Sequence, residues 1–122
     1  MAGDIQYQPQ IAALLDRFKA GAQLYAEAIE IEDNEAADEG KMTSRAAVQS
    51  LDAQGPNGRD VLIPLLDDPD PAVRVLAAAY LVKIVPQRAL AELRNIQDTC
   101  RTRTHMTAFH LLWAYEHGDL NL

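Results

Sequence analysis

The sequence predicts an all-α domain of about six helices in three antiparallel pairs. Three observations carry that expectation. Apolar residues fall at helical spacing along almost the whole chain. No segment alternates apolar and polar residues as a half-buried strand would. The segments "SRAAVQSL", "AVRVLAAAYL" and "HMTAFHLLWAY" repeat: Arg45 and Arg74 are 29 residues apart, and Arg74 and Met106 are 32 apart. Periods near thirty with two helices per unit mark an α-solenoid, whose units are too small to bury their own apolar faces and must stack. With 122 residues and 48% apolar content, the chain suits one domain over residues 1–122.

The first helix is expected to turn Ile11, Leu14, Leu15, Phe18, Ala22, Tyr25 and Ile29 inward, at steps of three and four. Pro9 suits its first turn, where a missing N–H costs nothing. The pattern fades inside "IEDNEAADEG", where the acidic run and Gly40 predict a loop or frayed helix end. A second helix then runs from about Met42 to Ala53, with Ala47, Val48 and Leu51 on one side, and "QGPNG" stops it. A short third helix spans Arg59 to Leu66, with Leu62, Leu65 and Leu66 inward and Pro64 tolerated or bending it. In "DDPDPAVR", Asp70 has the chemistry of an N-cap and Pro71 suits the first helical position. The fourth helix is expected to bury Val73, Leu76, Ala77, Tyr80, Leu81 and Ile84. Pro86 opens the fifth, with Leu90, Leu93, Ile96 and Cys100 inward. Thr104 caps the sixth, whose buried side is Met106, Phe109, Leu112 and Trp113. Tyr115 lies outside that stripe, and Gly118 ends the helix. Short links between helices imply antiparallel neighbours.

These residues carry a family resemblance. "LIPLLDDPDPAVRVLAAAYLVKI" is similar to a HEAT repeat: a short leucine-rich helix, an Asp-Pro turn, then Val-Arg and an alanine-rich helix. The longer pattern joins "FKAGAQLYAEAIEIED", "LIPLLDDPDPAVRVLAAAYLVKIVPQRALAELRNI" and "AFHLLWAYEHGDL". It resembles a family of small bacterial HEAT-like proteins of unassigned function. The resemblance implies a right-handed α-α superhelix. It also implies that Asp70 caps and that Arg74 reaches an acceptor in the turn or in an adjoining repeat. A guanidinium with five donors suits that task. Asp70, Pro71 and Arg74 are thus expected to be structural rather than reactive.

Charge narrows the function. The formal net charge is -7; residues 1–71 carry 5 basic and 14 acidic side chains, and residues 72–122 carry 6 basic and 4 acidic. Glu27, Glu30, Glu32, Asp33, Glu35, Asp38 and Glu39 form a run with no basic residue among them. Such a surface repels nucleic acid and anionic membranes and attracts a basic protein. The plainer reading is an acidic surface that keeps the protein dispersed. A single cysteine, Cys100, makes no internal disulfide. "MAGDIQYQPQ" lacks the features of a signal peptide. The longest apolar run, "VLAAAYLV", is far shorter than the ~20 residues of a membrane helix. The expectation is a cytoplasmic protein.

The side chains offer no catalytic set, and neither enzymatic activity nor a cofactor is expected. Asp67, Asp68 and Asp70 sit beside prolines, and Glu27 and Glu30 are one helical turn apart. Acid–base work needs a pocket that raises one pKa, whereas turn aspartates are usually solvated. His110 and His117 are two helical turns apart, about 10.5 Å of rise and too far for one metal ion; His105 lies on another face. His117 suits the carbonyls at the helix end. Arg101 and Arg103 would stabilise a Cys100 thiolate, but spacing supplies no His–Asp partner, so the thiol reads as structural. Lys83, Arg88, Arg94, Arg101 and Arg103 offer a small basic face, as in HEAT-like DNA glycosylases, within an acidic total. "GPNG" has neither the spacing nor the lysine of a phosphate loop. What remains is a non-catalytic protein-binding module, in its sharpest form an inhibitor or immunity protein that blocks a cationic partner. The alternatives are a reduced relative of the HEAT-like glycosylases and a self-associating scaffold subunit.

Overall fold

A computed structural model describes the backbone of residues 2–122 and the side chains of residues 9–122. Met1 and the side chains of residues 2–8, on which the signal-peptide reading partly rests, lie outside the described residues. The described chain is all helical. Five α-helices, α1 (Ala2–Glu30), α2 (Asn34–Asp52), α3 (Pro71–Leu81), α4 (Pro86–Thr99) and α5 (Thr104–Glu116), are joined by a 3-10 helix (Gly58–Asp67) between α2 and α3. No described helix is long and apolar enough to cross a membrane.

α1 packs chiefly on α2, and small residues set how closely the two helices approach. A Cβ added at Gly40 would stand 2.6 Å from the Gly21 carbonyl oxygen and from the Tyr25 nitrogen. The buried Ser44 hydroxyl donates to the Phe18 carbonyl of α1 at 2.9 Å. Ala37, Gly40, Ser44, Ala47, Val48 and Leu51 form the buried stripe of α2. The loop expected around Gly40 is therefore helix, and Gly40 is a contact point rather than a breaker. Its cause is local: the Asp33 carboxylate accepts from the Ala36 N–H at 3.1 Å, and this cap starts α2 well before Met42. α1 likewise starts before its expected first turn, and Pro9 lies inside it. The missing proline N–H removes one intrahelical bond without ending the helix.

α3 is the central element, packed by the 3-10 helix, α4, α1 and α5. It is apolar on every side because it is covered on every side: Ala72, Val73 and all residues from Val75 to Leu81 are buried. Phe18 of α1 meets Tyr80 edge to face, with ring centroids 6.0 Å apart. The 3-10 helix buries Leu62, Leu65 and Leu66 with Pro64 inside it, and α4 buries Ala89, Leu93 and Ile96. Ile84, expected inward, follows the end of α3 in a turn and is exposed.

The corner before α3 is a brace. Asp70 accepts from the Ala72 N–H at 2.9 Å, and Pro71 occupies the first helical position. Arg74 donates to the carbonyls of Asp68 and Pro69 at 2.7 and 3.1 Å, and its Nε lies 3.5 Å from Glu92 of α4. Asp67 pairs with Arg88 of α4, Asp68 with Lys19 of α1, and Asp70 accepts from Gln23 of α1. The three aspartates thus tie the corner to both flanking helices.

On α5 the buried face differs from the expected one. Thr104, Ala108 and Leu112 point inward, while Met106, Phe109 and Trp113 are about half exposed. α5 packs chiefly on α4 and then on α3, and the half-exposed Phe109 and Trp113 border a hollow with Arg94 and Asp98 of α4. Tyr115 is exposed as expected, but not because of the stripe: it lies on the side of Thr104 and Ala108, at the end of the helix.

Candidate protein interface at the helix hairpin tip

The seven candidate carboxylates fall where α1 turns into α2. α1 ends in paired turn bonds: Glu32 N–H donates to the Ile29 carbonyl at 3.3 Å, and Asp33 N–H to the Ala28 carbonyl at 2.9 Å. This is the usual closure of a helix around a left-handed residue, a place normally held by glycine. Here Glu32 holds it, with φ 58°. The tight turn lifts Ile31 out of the core, and its side chain is 74% exposed.

The carboxylates divide into two groups. Glu27 and Glu30, on α1, border a hollow of about 340 Å³ that Asp70 and Thr104 also line. Glu30 accepts from the Arg103 backbone N–H, and the Arg103 guanidinium donates to Glu32 and to the Ile29 carbonyl, each at 3.2 Å. Glu30 and Glu32 are thereby committed to tying the tip to the α4–α5 link. Asp33 is committed to capping α2. The second group, Glu35, Asp38 and Glu39, shares the outer face of α2 at helical spacing, and Met42, 70% exposed, continues that face. Lys41 stands 3.8 Å from Asp38. Among the described residues Glu35 and Glu39 have no ion-pair partner.

Sequence reasoning missed Ile31, Met42 and Arg103 as parts of this surface. A signal was present for Met42: Ala37, Gly40, Ser44, Ala47 and Leu51 recur at helical spacing and place it on the opposite face. Arg103 carried no such signal, because its partners lie more than seventy residues away. Beside the tip, Tyr25, Asn34, Arg103 and His110 help to line a cleft of about 540 Å³, where the Tyr25 and Thr107 hydroxyls are 3.0 Å apart.

Several of the remaining chemical candidates have structural partners. His105 Nδ1 lies 2.8 Å from the Thr102 carbonyl, and His117 Nδ1 lies 2.8 Å from the Trp113 carbonyl while its ring stacks on that tryptophan. A carbonyl only accepts, so each Nδ1 carries the proton. Cys100 Sγ lies 3.1 Å from the Thr102 hydroxyl at the end of α4. Arg88 and Arg103 are tied to Asp67 and Glu32. Among the described residues no three His, Cys, Asp or Glu side chains gather as a metal site would require. Comparison with protein-family models, with curated proteins and with solved structures finds no match to the chain.

Proposed function

We propose that this protein is a non-catalytic protein-binding module whose working surface is the acidic hairpin tip, and that it acts in the cytoplasm on a basic partner. The finer fold proposed with it is a right-handed α-α superhelix of HEAT type, with α1 and α2, the 3-10 helix and α3, and α4 and α5 as its antiparallel pairs. One observation carries the functional reading. Ile31 in the turn and Met42 on α2, two large apolar side chains, stand open to solvent before and after Glu35, Asp38 and Glu39. Exposed apolar side chains flanked by charged ones suit a protein interface. Carboxylates steer a cationic partner in, and the apolar side chains are then desolvated on contact. An inhibitor of one cognate partner, as an immunity protein is, would lay such a surface over a cationic active site.

The test uses the immobilised full chain beside a Glu35→Lys/Asp38→Lys/Glu39→Lys variant. These three positions carry no cap and no link to Arg103, unlike Glu30, Glu32 and Asp33, whose reversal would also damage the turn. Soluble proteins of the native host are passed over both. The expected result is a basic protein held by the parent, released by salt and not held by the variant. A protein held equally by both, or none held by the parent, contradicts the reading. Retention of the parent on heparin at low salt would instead favour the glycosylase-like alternative.

A second reading rests on α5. The exposed row of Met106, Phe109 and Trp113 favours self-association through this helix. Light scattering across concentration tests it: a mass that rises in the parent and stays monomeric in Trp113→Asp supports it, and a parent monomeric at every concentration removes it.

A further inference from the structure

Gly118, with φ 73°, closes α5 by a reversal: its N–H donates to the Tyr115 carbonyl at 3.1 Å, and the Asp119 N–H to the Ala114 carbonyl at 2.8 Å. Residues 119–122 then run outside any helix, back over the middle of the molecule. Leu120 packs against the core, Asn121 accepts from Lys83 at 3.2 Å, and Leu122 lies in a groove beside Tyr80. The segment does not fill that groove. Two hollows of about 270 and 250 Å³, both lined by Tyr80 and Leu122, remain around it.

The groove has a defined chemistry. Leu76, Ala79 and Leu111 give it an apolar floor; Lys41, Arg45 and Arg59 stand on its rim with Asp52, and of these cations Lys41 is paired with Asp38 and Arg59 with Asp52. Arg59 is held by a two-point contact with Asp52, at 2.9 and 3.0 Å, and lies over the Tyr80 ring at 5.6 Å. Arg45 makes no ion pair among the described residues, so an acidic group entering the groove meets an uncompensated cation. Leucines two apart in an extended chain point to the same side, which lets both reach one apolar floor.

We propose that this groove docks an extended segment of another protein, one carrying two leucines at alternate positions next to an acidic residue. Asp119–Leu122, with the sequence Asp-Leu-Asn-Leu, is a resident stand-in that such a segment displaces. The groove lies between α2, the 3-10 helix, α3 and α5, and it meets the acidic face of α2 only at Lys41, which stands 3.8 Å from Asp38.

The test is fluorescence anisotropy with a labelled, C-terminally amidated peptide reproducing residues 116–122, titrated into the full chain. A tethered segment acts at an effective concentration of about a millimolar, so the parent binds the free peptide weakly. The Leu120→Ser/Leu122→Ser variant is expected to bind it about tenfold tighter. Gly118→Val disturbs the reversal from outside the groove and is expected to give the same gain. Adding Arg45→Glu to either variant is expected to abolish the gain, with circular dichroism confirming the fold of each. No gain in the folded variants, or a gain that survives Arg45→Glu, overturns the proposal. Dimerisation of the parent that is lost in Leu120→Ser/Leu122→Ser would assign the groove to a second copy and overturn the assignment to another protein.

Discussion

Glu32 adopts a left-handed backbone, φ 58°, that costs a non-glycine residue about 1–2 kcal/mol. What it returns is a surface ion pair with Arg103, and such exposed pairs contribute roughly 0–1 kcal/mol. Glu32→Gly should therefore leave stability unchanged or raise it by up to about 1 kcal/mol, whereas Glu32→Val should lower it by about 1 kcal/mol or more. Urea unfolding of both variants checks the pair of signs. Tyr80 gives a pH prediction at the same scale. Burial pushes its phenol above the usual value of 10.0, and the nearby Arg45 and Arg59 charges only partly oppose this. The folded state thus holds the proton more tightly than the unfolded chain. Stability from this group is intact below pH 10 and is lost as pH rises through the folded value. Thermal melts at pH 9 and pH 11 should show a fall in the parent that is smaller in Tyr80→Phe.

Among the elements, the α1–α2 hairpin depends most on a single residue type. A side chain at Gly40 meets backbone, not a flexible neighbour, so the helices must separate to admit it. Gly40→Ala should destabilise by about 2 kcal/mol despite alanine's better helix propensity, because overpacking costs about 1–3 kcal/mol or more. A lower denaturation midpoint with an unchanged slope checks it; unchanged stability would mean that the crossing is looser than described. This hairpin also shows what the sequence can and cannot disclose. Asp70 and Pro71 were legible because an N-cap and a first-turn proline act within a few residues. Leu62, Leu65 and Leu66 were legible because their helix has one apolar side. Gly40 was misread because a glycine in a helix contact and a glycine in a loop look alike until the partner helix is placed. The face of α5 was misread because apolar residues lie on both of its sides, and periodicity cannot choose between them. The acidic run was legible as composition. That Glu30, Glu32 and Asp33 are spent on the turn, while Glu35 and Glu39 have no ion-pair partner among the described residues, depends on the distant Arg103 and on the register of α2.

Over the whole molecule, charge and apolar exposure are separated in space. The acidic tip lies at one end of the α1–α2 hairpin, the groove beside Tyr80 holds residues 119–122, and the apolar row of α5 faces outward. A protein drawn in by its tip should associate at a rate that falls with salt, since exposed charges are screened beyond about 8 Å at physiological ionic strength. The most direct measurement is the association rate of the captured basic partner with the parent and with Glu35→Lys/Asp38→Lys/Glu39→Lys, each followed from low to physiological salt. A steep salt dependence in the parent, and a rate about tenfold lower and nearly flat in the variant, is the predicted result. Equal rates with equal salt dependence in the two chains would contradict it.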